Sequence, residues 1–246
     1  MRLNKKNIFV TGIGKGIGRD VFLDCLKEGA NVYGICKKKS DLTGLKIKGS
    51  KIFIGDVTNK NFINKTFNYF KKNNIKLHGL VNNAGIRQRA SFEKITDKEL
   101  DKVMNVNFFS IFFIIQKFIK FIDKKDNVSV VNLSSIVGKR GFSELSGYAS
   151  SKAALDGLTK SLSIELCINF KKLRINNVRP GFTKTSFYNN FKSKKKSLYD
   201  WTILKTPISR WAETKEISNL IIFLLSNDST YINGQSINID GGWTAA

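Results

Sequence analysis

The stretch TGIGKGIG, residues 11–18, follows the apolar run NIFV and precedes an amphipathic segment. Glycine at positions 12, 16 and 18 permits a tight turn and lets backbone N–H groups come closer to a ligand than a side chain would allow. Placed between a strand and a helix, such a loop joins its N–H groups to the helix N-terminus and can hold a pyrophosphate. The spacing is G-x-x-x-G-x-G, with Gly14 as a further small residue inside the loop.

Outward from this loop, short β-branched runs alternate with amphipathic stretches. The pattern predicts strands at residues 7–12, 31–36, 51–57, 77–85, 128–135, 173–181 and 234–240. Helices are predicted at 17–28, 59–72, 97–121, 148–168 and 213–226. Continuously apolar strands separated by helices imply a parallel sheet covered on both faces and joined by right-handed crossovers. The expected fold class is therefore a doubly wound α/β sheet of about seven strands. The 246 residues suit a single domain, 1–246, with no interdomain linker or repeat. One segment breaks the rhythm: SFYNNFKSKKKSLYDWTILKT, residues 186–206, reads as an irregular insertion, either a lid over a substrate or a lysine-rich surface loop.

Composition narrows the function. Hydrophobic residues at 41% and charged residues at 25% describe an ordinary globular chain. The longest apolar runs, such as FFSIFFII at residues 108–115, are shorter than the roughly 20 residues of a membrane span. The first residues run straight into a strand without a signal-peptide pattern, so the expectation is a cytoplasmic protein. Cys25, Cys36 and Cys167 form no C-x-x-C pair, and His78 is the sole histidine. Neither a disulfide framework nor a metal site is expected, and His78 is assigned a structural role. The net charge of +23 comes from 34 lysines and eight arginines spread along the chain. That diffuse distribution fits a bias toward A- and T-rich codons better than a nucleic-acid surface, because no zinc-finger, RNP or helix-turn-helix pattern accompanies it.

The reacting groups are expected in YASSK, residues 148–152. On a helix, positions i and i+4 share a face, so Tyr148 and Lys152 point into one space. A free phenol has a pKa near ~10, and a neighbouring ammonium would favour its ionised form and fit it for proton transfer.

Taken together, the ordered motifs resemble the short-chain dehydrogenase/reductase family over essentially the whole chain. TGIGKGIG matches its T-G-x-x-x-G-x-G loop, Asp56 and Val57 follow the third strand, and NNAG (82–85) ends the fourth. Asn107 lies in the long helix, Ser135 ends the fifth strand thirteen residues before Tyr148, and Pro180 and Gly181 follow the sixth. The resemblance implies a catalytic set of Asn107, Ser135, Tyr148 and Lys152. Tyr148 would exchange the proton, Ser135 (rather than Ser134) would hydrogen-bond the substrate oxygen, Lys152 would also hold the nicotinamide ribose, and Asn107 would position a water in the proton relay.

It implies cofactor contacts at Gly12, Gly14, Lys15, Gly16, Ile17 and Gly18 of the loop. Asp56 would meet the adenine amino group with Val57 beside it. Asn83, Ala84 and Gly85 would line the middle of the site, and Pro180, Gly181, Thr183 and Thr185 the nicotinamide and pyrophosphate side. Cys36 stands where NAD-preferring members carry Asp, and Lys15, Lys37 and Lys38 lie where a 2′-phosphate would sit, three ammonium groups with no carboxylate. NADP(H) is therefore expected in preference to NAD(H).

The implied activity is interconversion of a carbonyl and a secondary alcohol. The pattern is closest to 3-oxoacyl-[acyl-carrier-protein] reductases of fatty acid biosynthesis, with sugar, sugar-acid or polyol dehydrogenases as the alternative. A basic surface suits an acidic acyl carrier protein, and the family commonly forms homotetramers through the long helix and the tyrosine helix. Arg87 and Arg89 are either receptors for a substrate carboxylate or phosphate, or plain surface charges. A basic nucleic-acid-binding or redox-sensing protein on the same fold is the non-enzyme alternative. A hydrolase is disfavoured by the lack of a G-x-S-x-G elbow.

Overall fold

The computed structural model describes residues 1–245 apart from 44, 46–48 and 187. Seven parallel strands form the central sheet: β1 (Asn7–Thr11), β2 (Asn31–Cys36), β3 (Ser50–Ile54), β4 (Gly79–Asn82), β5 (Val128–Leu133), β6 (Leu173–Pro180) and, last in the chain, β9 (Ser236–Ile239). Their order is β3-β2-β1-β4-β5-β6-β9, so the direction of growth reverses between β1 and β4. Such a switch point leaves a crevice at the carboxyl ends of the strands. Two short strands, β7 (Thr183–Lys184) and β8 (Ala212–Glu213), pair separately above it.

Alternation along β1 shows why both faces are apolar. Ile8 and Val10 point to one core with Val21, Phe22, Ile217 and Ile221. Phe9 points to the other, against Phe67, Phe70, Ile115 and Phe118. The first core is closed by α1 (Gly16–Lys27) and α8 (Thr214–Leu225), and the second by α2 (Lys60–Lys72), α4 (Ser110–Phe118) and α5 (Ser146–Glu165). Polar groups cross the second layer as a buried relay: Asn82 Nδ2 donates to Asn132 Oδ1 at 2.8 Å, Asn132 Nδ2 to Thr159 Oγ1 at 3.0 Å, and Thr159 Oγ1 to Asn177 Oδ1 at 2.6 Å. These bonds fix β4, β5, α5 and β6 in register, and with them every side chain at the strand ends.

Three expectations change. The long helix is α3 (Asp97–Met104), a π-turn at Asn105–Phe109, α4, and a final 3₁₀ turn. As one rod, Asp97–Phe121 is long and apolar enough to cross a bilayer, which an uninterrupted apolar run failed to show. Its Ile111, Ile114, Ile115 and Phe118 are nevertheless buried in the second core, so here it serves as a core helix. The segment 186–206 is not irregular: it forms α6 (Tyr188–Lys194) and α7 (Lys196–Leu204), with residue 187 outside the described residues. Lysine is a good helix former, and the aromatic residues between the lysines give the two helices something to pack on.

His78 lies at the amino end of the sheet, away from the crevice. Its Nδ1 accepts from Asn7 N at 3.0 Å and its Nε2 lies 3.4 Å from Asp126.

Candidate active site

The glycine loop starts where β1 stops. Gly12 has φ +75°, and a Cβ there would lie 2.8 Å from Ala84 Cα. A Cβ on Gly18 would overlap Asn83 Nδ2 and the Gly12 carbonyl oxygen. Asn83 Nδ2 instead donates to the Thr11 and Gly12 carbonyls at 3.1 and 2.9 Å, while Thr11 Oγ1 accepts from the Asn83 and Ala84 N–H groups. The loop is thus built against NNAG across the switch point. Gly16 has φ +58° and opens α1, whose N-cap, Lys15, makes no side-chain cap bond. The first N–H groups of α1 have no capping side chain, which suits an anion such as a pyrophosphate. These residues fit a dinucleotide.

At the adenosine end, β2 closes with Cys36, whose thiol is raised in pKa by burial. Lys37 Nζ pairs with Asp56 Oδ2 at 2.6 Å, and Asp56 Oδ1 accepts from Thr58 N and Oγ1. Burial opposes ionisation of Asp56, but the Lys37 and Thr58 bonds outweigh it and its pKa falls below the ordinary value. Val57 is packed into the second core. Lys38 is exposed, and its carbonyl oxygen accepts from Cys36 Sγ.

The expected count of charges needs correcting here: a carboxylate is present. The 3₁₀ turn Lys39–Leu42 folds Asp41 back so that a Cβ on Gly14 would lie 2.8 Å from Asp41 Cβ and 3.4 Å from its Oδ2. Arg19 braces this turn, donating to Thr43 O at 2.9 Å. Neither residue carries a local signal, because their approach to Gly14 depends on β1 and β2 being neighbours.

The reacting end lies across the crevice. A cleft of about 700 Å³ runs from Lys15 and Ile17 past Asn83 and Gly85 to Ser135, Tyr148 and Lys152, with Pro180, Gly181, Thr183 and Thr185 on its far wall. Gly14, Lys37, Lys38, Asp56 and Val57 lie outside it. The two serines after β5 separate cleanly. Ser134 Oγ turns to α5, donating to Lys152 O at 3.1 Å. Ser135 hydrogen-bonds the Tyr148 phenol.

Burial pushes the Tyr148 phenol up in pKa, and the Ser135 bond and the Arg87 charge pull it back without reversing the direction. Lys152 is 4% exposed, and burial lowers its pKa to about 8 against the opposing pull of Asp156. Its Nζ donates to Leu133 O at 2.5 Å and lies 5.8 Å from the centre of the Tyr148 ring. The ammonium is therefore adjacent as expected, but the cation that lowers the phenol pKa is Arg87.

Asn107 is fully buried in the π-turn. Its Oδ1 accepts from Ile86 N, and its Nδ2 donates to Ile86 O, both at 2.9 Å, and to Ser151 Oγ at 3.0 Å. The side chain is committed to these groups, so holding a water would fall to the main chain.

Trp211 was not marked by any motif, yet it lines the cleft on the side of α6 and α7. Its Nε1 donates to Thr202 Oγ1 at 2.7 Å, Phe182 stacks on it at 5.3 Å, and the rings of Tyr188, Phe191 and Tyr199 pack around it. Both α6 and α7 are docked on this one indole.

Comparison with known proteins identifies what the chain resembles. Residues 12–244 match the family described as enoyl-(acyl carrier protein) reductase. A 3-oxoacyl-[acyl-carrier-protein] reductase, FabG, of Thermotoga maritima is 32% identical over 248 residues, 98% of this chain and 99% of that one. An L-xylulose reductase of Caenorhabditis elegans is also 32% identical, covering 97% and 96%. Among solved structures, 4-hydroxyisoleucine dehydrogenase complexed with NADH superposes with a TM-score of 0.91 at 26% identity, covering 98% of this chain and all of that one.

Proposed function

The chain belongs to the short-chain dehydrogenase/reductase family, and from that premise we propose that it is an NADP(H)-dependent oxidoreductase interconverting a carbonyl and a secondary alcohol. The observation that carries this reading is the meeting, in one cleft, of an uncapped glycine-loop helix with Ser135, Tyr148 and Lys152. Bound nicotinamide supplies or accepts the hydride. The loop N–H groups and the α1 N-terminus hold the pyrophosphate, and Thr183 and Thr185 face it from β7 and its end. Lys152 orients the ribose at the foot of the tyrosine.

In reduction, Tyr148 gives its proton to the carbonyl oxygen while Ser135 donates a hydrogen bond to the same atom. A phenol whose pKa is raised by burial stays protonated at neutral pH, which favours its role as the acid. Arg87 and Lys152 bring positive charge to the phenolate that remains. Asn107 acts through Ile86, fixing the loop that carries Arg87.

NADP(H) is supported by Lys15, Lys37 and Lys38 around a strand end that carries Cys36 in place of an acid. Asp41 opposes them and Asp56 engages Lys37, so the preference is moderate: about tenfold in kcat/KM for NADPH over NADH, or ~1.4 kcal/mol. Two substrate classes fit the reaction. A 3-oxoacyl thioester on an acyl carrier protein is supported by the FabG relative, and a sugar or sugar acid by the L-xylulose reductase relative. A homotetramer would cover the exposed Phe109, Phe112 and Phe113 of the Asp97–Phe121 rod, and a cytoplasmic location accords with three free cysteines.

The test follows NADPH absorbance over a panel of carbonyls and NADP⁺ reduction over sugar acids and polyols. Tyr148→Phe should lose about 10²- to 10⁴-fold in turnover while still binding NADPH by fluorescence titration. Full turnover by that variant refutes the mechanism, and equal use of NADH refutes the cofactor preference.

A further inference from the structure

At its reacting end the cleft is walled mainly by apolar side chains: Ile86, Ile136, Val137, Leu145, Phe182 and Trp211. Ile136 and Val137 follow Ser135 directly, and Leu145 is the N-cap of α5, three residues before Tyr148. Phe182 is placed at the same end by its neighbours. Its ring lies 6.2 Å from that of Phe142, which stands between Ser135 and Tyr148 in the chain. On its other side it stacks on the Trp211 indole, with centroids 5.3 Å apart and planes at 30°.

The polar side chains of the described lining have other tasks. Ser134 Oγ donates to Lys152 O, Thr183 Oγ1 to Gly181 O at 3.1 Å, and Asn83 Nδ2 to the carbonyls of the glycine loop. The polar atom of the Trp211 ring, Nε1, donates to Thr202, a fully buried residue of α7. Thr185 packs beside Gly16 at the pyrophosphate end, and Lys152 is bound to Leu133 O. Arg89 pairs with Glu144, and the Arg87 charge bears on the phenol. Ser135 and Tyr148 serve the reacting oxygen. No carboxylate lines the cleft among the described residues.

Such a wall separates the two substrate classes. A sugar or polyol carries hydroxyls on the carbons beside the reacting one, and each hydroxyl buried without a partner weakens binding by about 10- to 100-fold. An alkyl chain or carbocycle loses no hydrogen bond there and gains about fourfold for each CH₂ it buries. Stacked aromatic rings add a flat apolar face against which such a body can lie.

We infer that the substrate is an apolar ketone, or the matching secondary alcohol, whose alkyl chain or carbocycle lies against Phe182 and Trp211 and bears no hydroxyls of its own. The inference rests on the carbonyl–alcohol reading above and decides against the sugar among its two substrate classes. In reduction, hydride from NADPH adds to the carbonyl carbon and the Tyr148 proton to its oxygen, giving NADP⁺ and the secondary alcohol; the phenolate regains a proton from solvent. The apolar body can arrive free or as the tail of a 3-oxoacyl thioester, and the test separates these two sources.

The experiment pairs a ketose with the ketone of the same carbon skeleton, L-xylulose against 2-pentanone, each with NADPH. Chain length is read from 2-pentanone against 2-heptanone and from acetoacetyl-CoA against 3-oxooctanoyl-CoA. Wild type should favour the apolar ketones over L-xylulose by about 100-fold or more in kcat/KM. The longer chain should be favoured by about 10-fold in at least one series. Phe182→Ala should bring that chain-length gain close to one. Val137→Thr, which keeps the shape and adds a hydroxyl to the wall, should lower it by about twofold or more, and this milder variant decides should Phe182→Ala fail to fold. A gain confined to the thioesters assigns the body to an acyl tail, and a gain with the free ketones assigns it to a free ketone; either supports the inference. Turnover of L-xylulose equal to or above that of the apolar ketones, or no chain-length gain in either series, overturns it while leaving the carbonyl reading intact. A gain that survives unchanged in the variants overturns the placement on this wall. Reduction of no carbonyl by a protein that binds NADPH overturns both readings.

Discussion

Replacing Lys152 by methionine should stabilise the folded chain while abolishing turnover. The two side chains are similar in length, so the change removes a buried charge and little volume. Burial moves the Lys152 pKa from 10.5 to about 8, and at ~1.36 kcal/mol for each pH unit the protonated lysine costs the fold about 3 kcal/mol. Against this, methionine leaves the Leu133 carbonyl without its 2.5 Å donor, a loss of ~1 kcal/mol. Near neutral pH the variant should therefore be more stable by about 2 kcal/mol, or ~4–8 °C in Tm for a chain of this size.

The pH dependence identifies the cause. Between about 8 and 10.5 the unfolded chain holds a proton on Lys152 that the folded chain has released. Wild-type stability consequently gains from this group as pH rises, since the unfolded state binds more protons. The methionine variant has no such gain, so its advantage should shrink through that window. It should end as a deficit of ~1 kcal/mol once the lysine is neutral in both states. Urea unfolding of both proteins across the window, without added dinucleotide, measures the difference directly. A difference that does not vary with pH, or a variant that is less stable near neutrality, refutes the view that Lys152 is held against a desolvation cost.

Two further substitutions probe the scaffold. Gly18→Ala places a methyl group into Asn83 Nδ2 and the Gly12 carbonyl; it should cost about 1–3 kcal/mol in urea unfolding and weaken NADPH binding in a fluorescence titration. Trp211→Ala removes the indole on which α6 and α7 dock, at a cost of ~3–5 kcal/mol. Trypsin should then cut first among the lysines of 192–196, and cleavage elsewhere at an equal rate would show that α6 and α7 do not depend on that ring.

The phosphate end was legible because its requirements are local. A glycine with φ of +75° or +58°, and a Gly18 position that excludes a Cβ, leave a mark at those residues alone. Tyr148 and Lys152 were legible for the same reason, since one helical turn brings them together. The seven main strands were legible from their apolar runs, although the strands stop short of the serines and the glycines that follow them. Long-range encounters were not. Asp41 reaches Gly14 only because β2 lies beside β1, so the expected charge count lacked its carboxylate. The segment 186–206 looked irregular because its lysines hide the aromatic residues that fold onto Trp211, a partner beyond the segment. The π-turn at Asn105–Phe109 has no sequence signal that a continuous helix would not share.

Arg87 shows why the surroundings of the phenol were harder to read than the phenol itself. Tyr148 and Ser135 come from α5 and the end of β5, elements locked by the Asn82–Asn132–Thr159–Asn177 relay, so their meeting follows from the fold. Arg87 comes from a loop, and its place beside the phenol depends on Asn107 binding Ile86, twenty-one residues earlier in the chain. Loops on a rigid scaffold can change their chemistry without disturbing the elements beneath. In this chain, however, the loop that carries Arg87 is fastened by Asn107 to the π-turn, which in turn bonds the tyrosine helix through Ser151. A change at Asn107 should therefore shift the pKa of Tyr148, read from the pH profile of turnover, because Asn107 holds the loop that sets the Arg87 charge near the phenol.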